Sequence, residues 1–345
     1  MIRKTSYALL VCLGVAMVVF FLFQSLGDPA SFVAGQSGDQ KTMENIRKDL
    51  RLDLPAWKQM IFYLNDLSPV SVYNASEFEQ KKISGFVWGT EKKWVIKLPY
   101  LGVSFQSKKQ VSEILGNAFP ATCVLACSAM LIACLLGLVW GILAAIYQGS
   151  WMDRTAIVSS IAGVSAPSFF MAIVISYLFG ILLHDYTGLP FSGSLFEMDE
   201  ATGKQYIALR NLVLPCLTLA IRPFAIITQI TRSSLMEVLE QDYIRTARAM
   251  GIGQRIIVLK YALKNALNPM ITSVTGWFAE LLAGSFFVEY IFGWNGLGKV
   301  TVDALAVLDL PVLMGAILLS AFLFVLMSLL ADLLYRMVDP RISHS

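Results

Sequence analysis

Histidine is nearly missing from this chain: His184 and His344 are the only two, and they are far apart in sequence. That argues against a metal or catalytic centre built on imidazole. Charge is also scarce, at 15% of residues, and the net charge of +3 is too small to point to nucleic acid. The five cysteines, Cys12, Cys123, Cys127, Cys134 and Cys216, all lie inside apolar runs. None stands in a loop where it could join a disulfide framework, and Cys123-x-x-x-Cys127 reads as a small-residue packing face rather than a ligand pair. A clean A-x-A cleavage site is lacking too. The first apolar run therefore reads as a retained helix rather than a signal peptide, although Ser25-x-Gly27 is a weak imitation of a cleavage site.

What the chain has instead is apolar residues, 56% of 345. They come in runs long enough to cross a bilayer, which takes about 20 residues each. Residues 7–23, 118–147, 156–183 and 310–331 carry no charge, while 211–231 and 269–294 are apolar with embedded charges. The expectation is an all-α polytopic membrane protein with six transmembrane helices. Its parts are a first helix in 1–26, a small external region at 27–117, a five-helix core at 118–336 and a tail at 337–345.

Arg3 and Lys4 precede the first run. Short basic flanks stay in the cytoplasm, so both termini are expected inside. The same count puts 148–154 and 237–268 inside. The latter loop holds Arg245, Arg248, Arg255, Lys260 and Lys264. In the external region, 41–67 reads as two short amphipathic helices broken at Pro55. "GFVWGTEKKWVIKL" reads as a hairpin turning at Gly89-Thr90. Trp88 and Trp94 are expected to form a small core for it, the alternative being that they rest at the headgroup level of the membrane.

Two stretches imitate catalytic motifs. Gly293-x-x-x-x-Gly298-Lys299 is one residue short of a phosphate-binding loop. It follows a membrane helix instead of a strand, Val300 replaces the hydroxyl that holds magnesium, and it falls on the outer side. A turn or gate at the outer mouth is the better reading, involving Glu289, Gly293, Asn295 and Gly298, with Glu289 at a water-accessible helix end. Gly163-x-Ser165-x-Pro167 lacks the last glycine of a nucleophile elbow. Pro167 is expected to bend the third span.

The informative stretch is 240–272, which reads as two short helices broken at Gly251-Ile-Gly253. Leu239, Tyr243, Ala247 and Met250 fall on one expected apolar face. Ile256, Leu259, Leu263 and Leu267 fall on the other. Such a pair has apolar faces to cover and should dock on something, either anionic lipid or another protein.

Here "DYIRTARAMG" and "ALKNALNP" resemble the cytoplasmic EAA loop of binding-protein-dependent ABC transporter permeases, in the form of the oligopeptide, dipeptide and nickel branch. "GDPA", "LRLDLPAWKQ", "LGVSF", "PSFF", "RSSLMEVL", "VEYIFGWNGLGKV" and "DLLYRMVDPRI" extend that resemblance over nearly the whole chain. It implies the type I importer (MetI-like) permease fold and a B-type subunit. It also implies an ATPase-coupling role for Arg245, Thr246, Ala247, Arg248, Ala249 and Gly251. The implied partners are a C-type permease, two ATP-binding cassette subunits, an extracytoplasmic binding protein and the lipid of a prokaryotic inner membrane. ATP hydrolysis and any cofactor would belong to those partners. The implied cargo is peptide, with nickel chelates or another small solute as the alternative. A membrane enzyme would need a convergent set of ionisable residues that the sequence does not offer. An ATP-independent channel would not need the hairpin.

Two charges stand outside the family pattern. Arg222 and Glu280 are each expected near mid-membrane, roughly 14–15 Å deep at 1.5 Å per residue. A lone charge there costs at least ~2.5–3.5 kcal/mol. They are expected to pair or to line a watery path, with Pro223 breaking the helix to turn Arg222 inward; the alternative is that each snorkels or faces a different partner helix.

Overall fold

The computed structural model describes residues 2–25, 43–44, 47–48, 51–81, 83–89, 92–198 and 203–338. The "GDPA" stretch, Thr90 of the hairpin turn and residues 339–345 of the tail lie outside them. The chain forms two compact units, Met1–Ala118 with Val300–Phe322, and Phe119–Lys299 with Leu323–Ser345.

Among the described residues, four helices are long and apolar enough to cross a membrane: Ser6–Ser25, Val111–Ile146, Leu209–Leu239 and Leu310–Ala331. They belong to α1 (Ile2–Ser25), α4 (Val111–Ile146), α7 (Leu209–Leu239) and α12 (Leu310–Val338). The other two expected spans are interrupted. The third consists of α5 (Trp151–Ser165) and α6 (Ser168–Tyr177), which runs on through a π-helical turn to Leu182. The two halves are bent by 105°. Pro167 makes that corner, because the residue before a proline is driven out of the helical region. Ala166 accordingly sits at φ −79°, ψ 126°. The fifth is split into α9 (Asn268–Leu282) and α10 (Phe286–Ile291), with Gly284 at φ +105° between them, and α11 (Leu297–Ala306) follows in sequence. The expected break at Pro223 is absent: α7 continues through both Pro215 and Pro223.

In the first unit, Phe20 near the end of α1 packs on Tyr63 of α2 (Ala56–Leu67), with ring centroids 5.5 Å apart. Pro55, extended at ψ 145°, starts α2 where the sequence expected a break. Next come β1 (Val70–Asn74), α3 (Ala75–Lys81), β2 (Gly85–Trp88) and β3 (Lys92–Lys97), forming one antiparallel sheet in the order β1-β3-β2. The expected hairpin is β2–β3, with Trp88 opposite Trp94. Its core is different from the expectation. Trp88 and Trp94 are 81% and 57% exposed, whereas Tyr73, Val95 and Lys97 on the opposite face are buried. That inner face is organised by Asp66, which accepts from the Tyr73 hydroxyl at 2.8 Å and from Lys81 at 2.7 Å. Lys97 donates to the Asp66 carbonyl. A tryptophan on this side would displace the polar cluster.

In the second unit, α4, α7, α9 and α10 share a core that includes Leu125, Leu214, Ile227, Leu282 and Trp294. Gly137 and Gly141, one helical turn apart on α4, form a close seam with α7. A Cβ at Gly137 would stand 2.9 Å from Ile227 Cγ2, and one at Gly141 would stand 2.7 Å from Thr231 Cβ. This is the small-x-x-x-small device that lets membrane helices approach closely. The sequence signal is plain in "GLVWG". Arg232 of α7 grips Asp153 of α5 through two nitrogens, Nη2 at 3.1 Å from Oδ2 and Nε on Oδ1. A small hairpin, β4 (Phe196–Met198) with β5 (Gln205–Ile207), precedes α7 and has no counterpart in the sequence expectations.

Candidate functional site

Residues 242–266 form α8 (Asp242–Ala249), a turn, and a second helical segment made of Gln254–Ile256, a π-helical stretch Ile257–Ala262 and Leu263–Ala266. Gly251 makes the turn at φ +77°, in the left-handed region that side chains disfavour, with open space around it. The break at Gly251–Ile–Gly253 is where the sequence expects it, but the buried faces are shifted. In α8 the buried residues are Ile244 and Ala247, while Tyr243 and Met250 are exposed. In the second segment Ile257, Val258, Ala262 and Ala266 are buried, while Ile256 and Leu259 are exposed. The π-helical stretch adds a residue to the turn, so a 3.6-residue count loses phase there.

Those buried residues join Ala145 of α4 and Leu235 of α7 in one apolar cluster. One side of the pair is therefore covered by the chain's own membrane helices, while Tyr243, Met250, Ile256 and Leu259 remain as apolar surface that the pair does not bury. Asn265 donates to the Tyr243 hydroxyl at 2.9 Å and ties the two halves together. Arg245, Thr246, Arg248, Ala249 and Gly251 are exposed, and Ala247 is buried. Arg245 reaches Asp242 at 3.3 Å on the exposed side.

The loop after α10 is built round Glu289. That carboxylate is buried, at 0% exposure, and is not the solvated helix end expected from the sequence. Gly298 N–H donates to Oε2 at 2.7 Å and Lys299 N–H donates at 3.3 Å. Thr122 of α4 donates to Oε1 at 3.1 Å while its hydroxyl oxygen accepts from Leu297 N–H. The Trp294 indole N–H donates to the Ala121 carbonyl at 3.0 Å. Gly293 turns at φ +65°, Asn295 is exposed, and Gly298 stands against the start of α10. Glu289 is thus the acceptor that folds 293–299 back onto α4 and α10. A single sequence shows the carboxylate without showing the amides that converge on it.

Arg222 and Glu280 come to the wall of one cavity of about 270 Å³, with Trp277, Ser285, Met171 and Phe287. Among the described residues the two charges form no ion pair within 4.0 Å. The Arg222 guanidinium lies over the Trp277 ring, 5.2 Å from its centroid. The Ser285 hydroxyl, also in this wall, is buried without a hydrogen-bond partner. The cavity combines an apolar surface with one cation, one anion and one unused hydroxyl. No cluster of three or more potential metal ligands occurs among the described residues.

These elements define a polytopic helical protein with a broken fifth span and a packed helical pair between α7 and α9. Residues 137–344 match the model of the family described as "Binding-protein-dependent transport system inner membrane component", and residues 1–126 match its N-terminal companion. The chain belongs to that family. It is 34% identical to the "Probable D,D-dipeptide transport system permease protein DdpB" of Escherichia coli (strain K12), covering 99% of this chain and 96% of that one. It is 32% identical to the "Dipeptide transport system permease protein DppB" of the same strain, covering 99% and 98%. Among solved structures, an inward-facing MetNI methionine ABC transporter chain aligns at TM-score 0.52 and 18% identity, covering 66% of this chain and 97% of that one. That likeness gives the MetI-like permease fold.

Proposed function

We propose that the chain is a B-type permease subunit of an ATP-driven importer for di- or oligopeptides, with both termini cytoplasmic. It forms the membrane path with a C-type permease, receives cargo from an extracytoplasmic binding protein, and couples to two cytoplasmic ATPase subunits through residues 242–266. The observation that carries the coupling is the two-sidedness of that segment. Ile244, Ala247, Ile257 and Ala262 fasten it to the chain's own helices. Arg245, Thr246, Arg248, Ala249, Met250 and Gly251 remain outward for a partner. A force applied at α8 would reach α4 and α7 through packed side chains.

The peptide reading rests on the names of the relatives and on the cavity at Arg222. A peptide brings a carboxylate, an ammonium and apolar side chains. Arg222, Glu280 and the apolar wall with Trp277 offer a complement to each.

Gly251→Trp tests the coupling. It puts a bulky side chain where the backbone is left-handed and where a partner would approach. Membrane insertion should be preserved, while peptide uptake and peptide-stimulated ATP hydrolysis by the assembled complex should be lost. Normal uptake and normal ATPase stimulation in that variant would exclude 242–251 as the coupling contact.

A further inference from the structure

We propose that the first unit carries a binding pocket for an anionic glycerophospholipid, independent of the transport path. A cavity of about 1070 Å³ opens among α1, α2, the turn 101–108 and the start of α12. Pockets for small ligands run to roughly 300–1,000 Å³, so this one has room for a large amphiphile. Its wall has two chemistries. Phe20 and Phe23 come from the last turns of α1, and Met314 and Leu318 from the first turns of α12. Each pair lies at the end of an apolar span, where hydrocarbon gives way to headgroups.

The remaining wall holds four cations, Lys48, Arg51, Lys81 and Lys108, and two carboxylates, Asp66 and Glu77. Both carboxylates are already engaged. Arg51 lies 2.8 Å from Glu77, and Lys81 lies 2.7 Å from Asp66 and 3.0 Å from Glu77. Among the described residues Lys48 and Lys108 have no carboxylate within 4.0 Å. The cavity therefore presents uncompensated positive charge beside an apolar surface that continues two membrane helices.

Backbone geometry adds an independent observation. Three described non-glycine residues have left-handed backbone, and two of them are cations of this wall, Arg51 at φ 58° and Lys108 at φ 59°. Such strain persists only where the surroundings over-determine it. The Arg51 turn is fixed by Gln59, whose amide donates to the Leu54 carbonyl at 2.8 Å, and its guanidinium rests over Phe62 at 4.0 Å. The Lys108 turn is fixed by Ser104, which accepts from Lys108 N–H and donates to Asp309. Both cations are thus held at the wall by built turns. The ligand these features fit has a phosphate without a compensating cation and has acyl chains to lie along Phe20, Phe23, Met314 and Leu318.

The full chain purified in a neutral detergent, with palmitoyl-oleoyl phosphatidylglycerol or the matching phosphatidylcholine added, provides the test by native mass spectrometry. Phosphatidylglycerol should be retained at least about fivefold better. Lys48→Gln and Lys108→Gln should each lower its retention about fivefold, the effect of roughly one basic residue near an anionic lipid surface. Lys109→Gln, outside the wall, should leave it unchanged, and Met314→Trp should displace both lipids. Photoactivatable phosphatidylglycerol on the unaltered chain should label peptides holding residues 20–23 or 314–318, which keeps the test valid if a variant misfolds. Equal retention of the two lipids, an equal loss in Lys109→Gln, or labelling spread evenly over α4 and α7 would overturn the pocket. Displacement by glycerol phosphate as effective as by the lipid would also overturn it, because the site would then serve a soluble anion.

Discussion

The Gly298 amide and the Glu289 carboxylate meet at 2.7 Å in a place no water reaches. Lys299 N–H and the Thr122 hydroxyl complete the shell. Glu289→Ala takes the acceptor away from the buried Gly298 amide and the buried Thr122 hydroxyl, at a cost of roughly 1–3 kcal/mol each. The thermal midpoint of the purified protein should fall sharply, and Glu289→Gln, which keeps one acceptor oxygen, should fall in between. An unchanged midpoint in Glu289→Ala would show that this shell does not hold the loop.

Arg222 and Glu280 share a cavity wall, but the partner of Arg222 is the Trp277 ring. A double-mutant cycle between Arg222→Met and Trp277→Leu should give a coupling of about 0.5–2 kcal/mol in stability. The cycle between Arg222→Met and Glu280→Gln should be additive within about 0.5 kcal/mol. The reverse ranking would mean that the two charges pair directly.

Asp153 and Arg232 are joined by two contacts at the base of α5 and α7. Removing one partner of a fully buried pair costs about 3–5 kcal/mol, which is an upper bound here because the Arg232 side chain is 21% exposed, and replacing both with apolar groups costs much less. Asp153→Ala should therefore reduce folded yield more than Asp153→Leu combined with Arg232→Met. Equal yields from the single and double variants would contradict this.

Lys97 gives the first unit a pH dependence. Burial pushes its ammonium down to about 8, with the charge of Asp66 opposing. In the unfolded chain the group keeps its usual value near 10.5. Between pH 8 and 10 the unfolded state holds the proton and the folded state does not, so stability rises with pH. Below pH 8 both states are charged, and the burial penalty is present in full. Proteolysis of the first unit should slow from pH 8 to pH 10, and Lys97→Met should flatten the profile. Tyr73 is pushed up by burial first and then by Asp66, so it stays protonated in this window.

The apolar runs were legible in the sequence because a bilayer demands length and composition alone. Pro167 announced the corner in the third span. The sheet was half legible. "GFVWG…KKWVIK" gave β2 and β3, but "VSVYN" hid β1, because its valines face out and Ser71 and Tyr73 face in. The helical pair at 242–266 was legible as two helices and a turn, but not in its phase; in the second segment the π-helical stretch 257–262 displaces the count. Glu289 was legible as a position and not as an environment. Burial there comes from Thr122, 167 residues away.

The corner at Ala166 has a consequence for every residue after it. Sidedness along a polytopic chain is a matter of parity, and a segment bent by 105° changes the parity according to whether it crosses or returns. With the N-terminus cytoplasmic as proposed above, and the bent pair counted as one crossing, Asn295 falls outside and Met250 inside. A cysteine at Asn295 should then react with an impermeant reagent added from outside, and one at Met250 only after the membrane is opened. The two reactions report on α8 and on the 293–298 loop. They also read, from a distance, the direction in which α6 leaves Pro167.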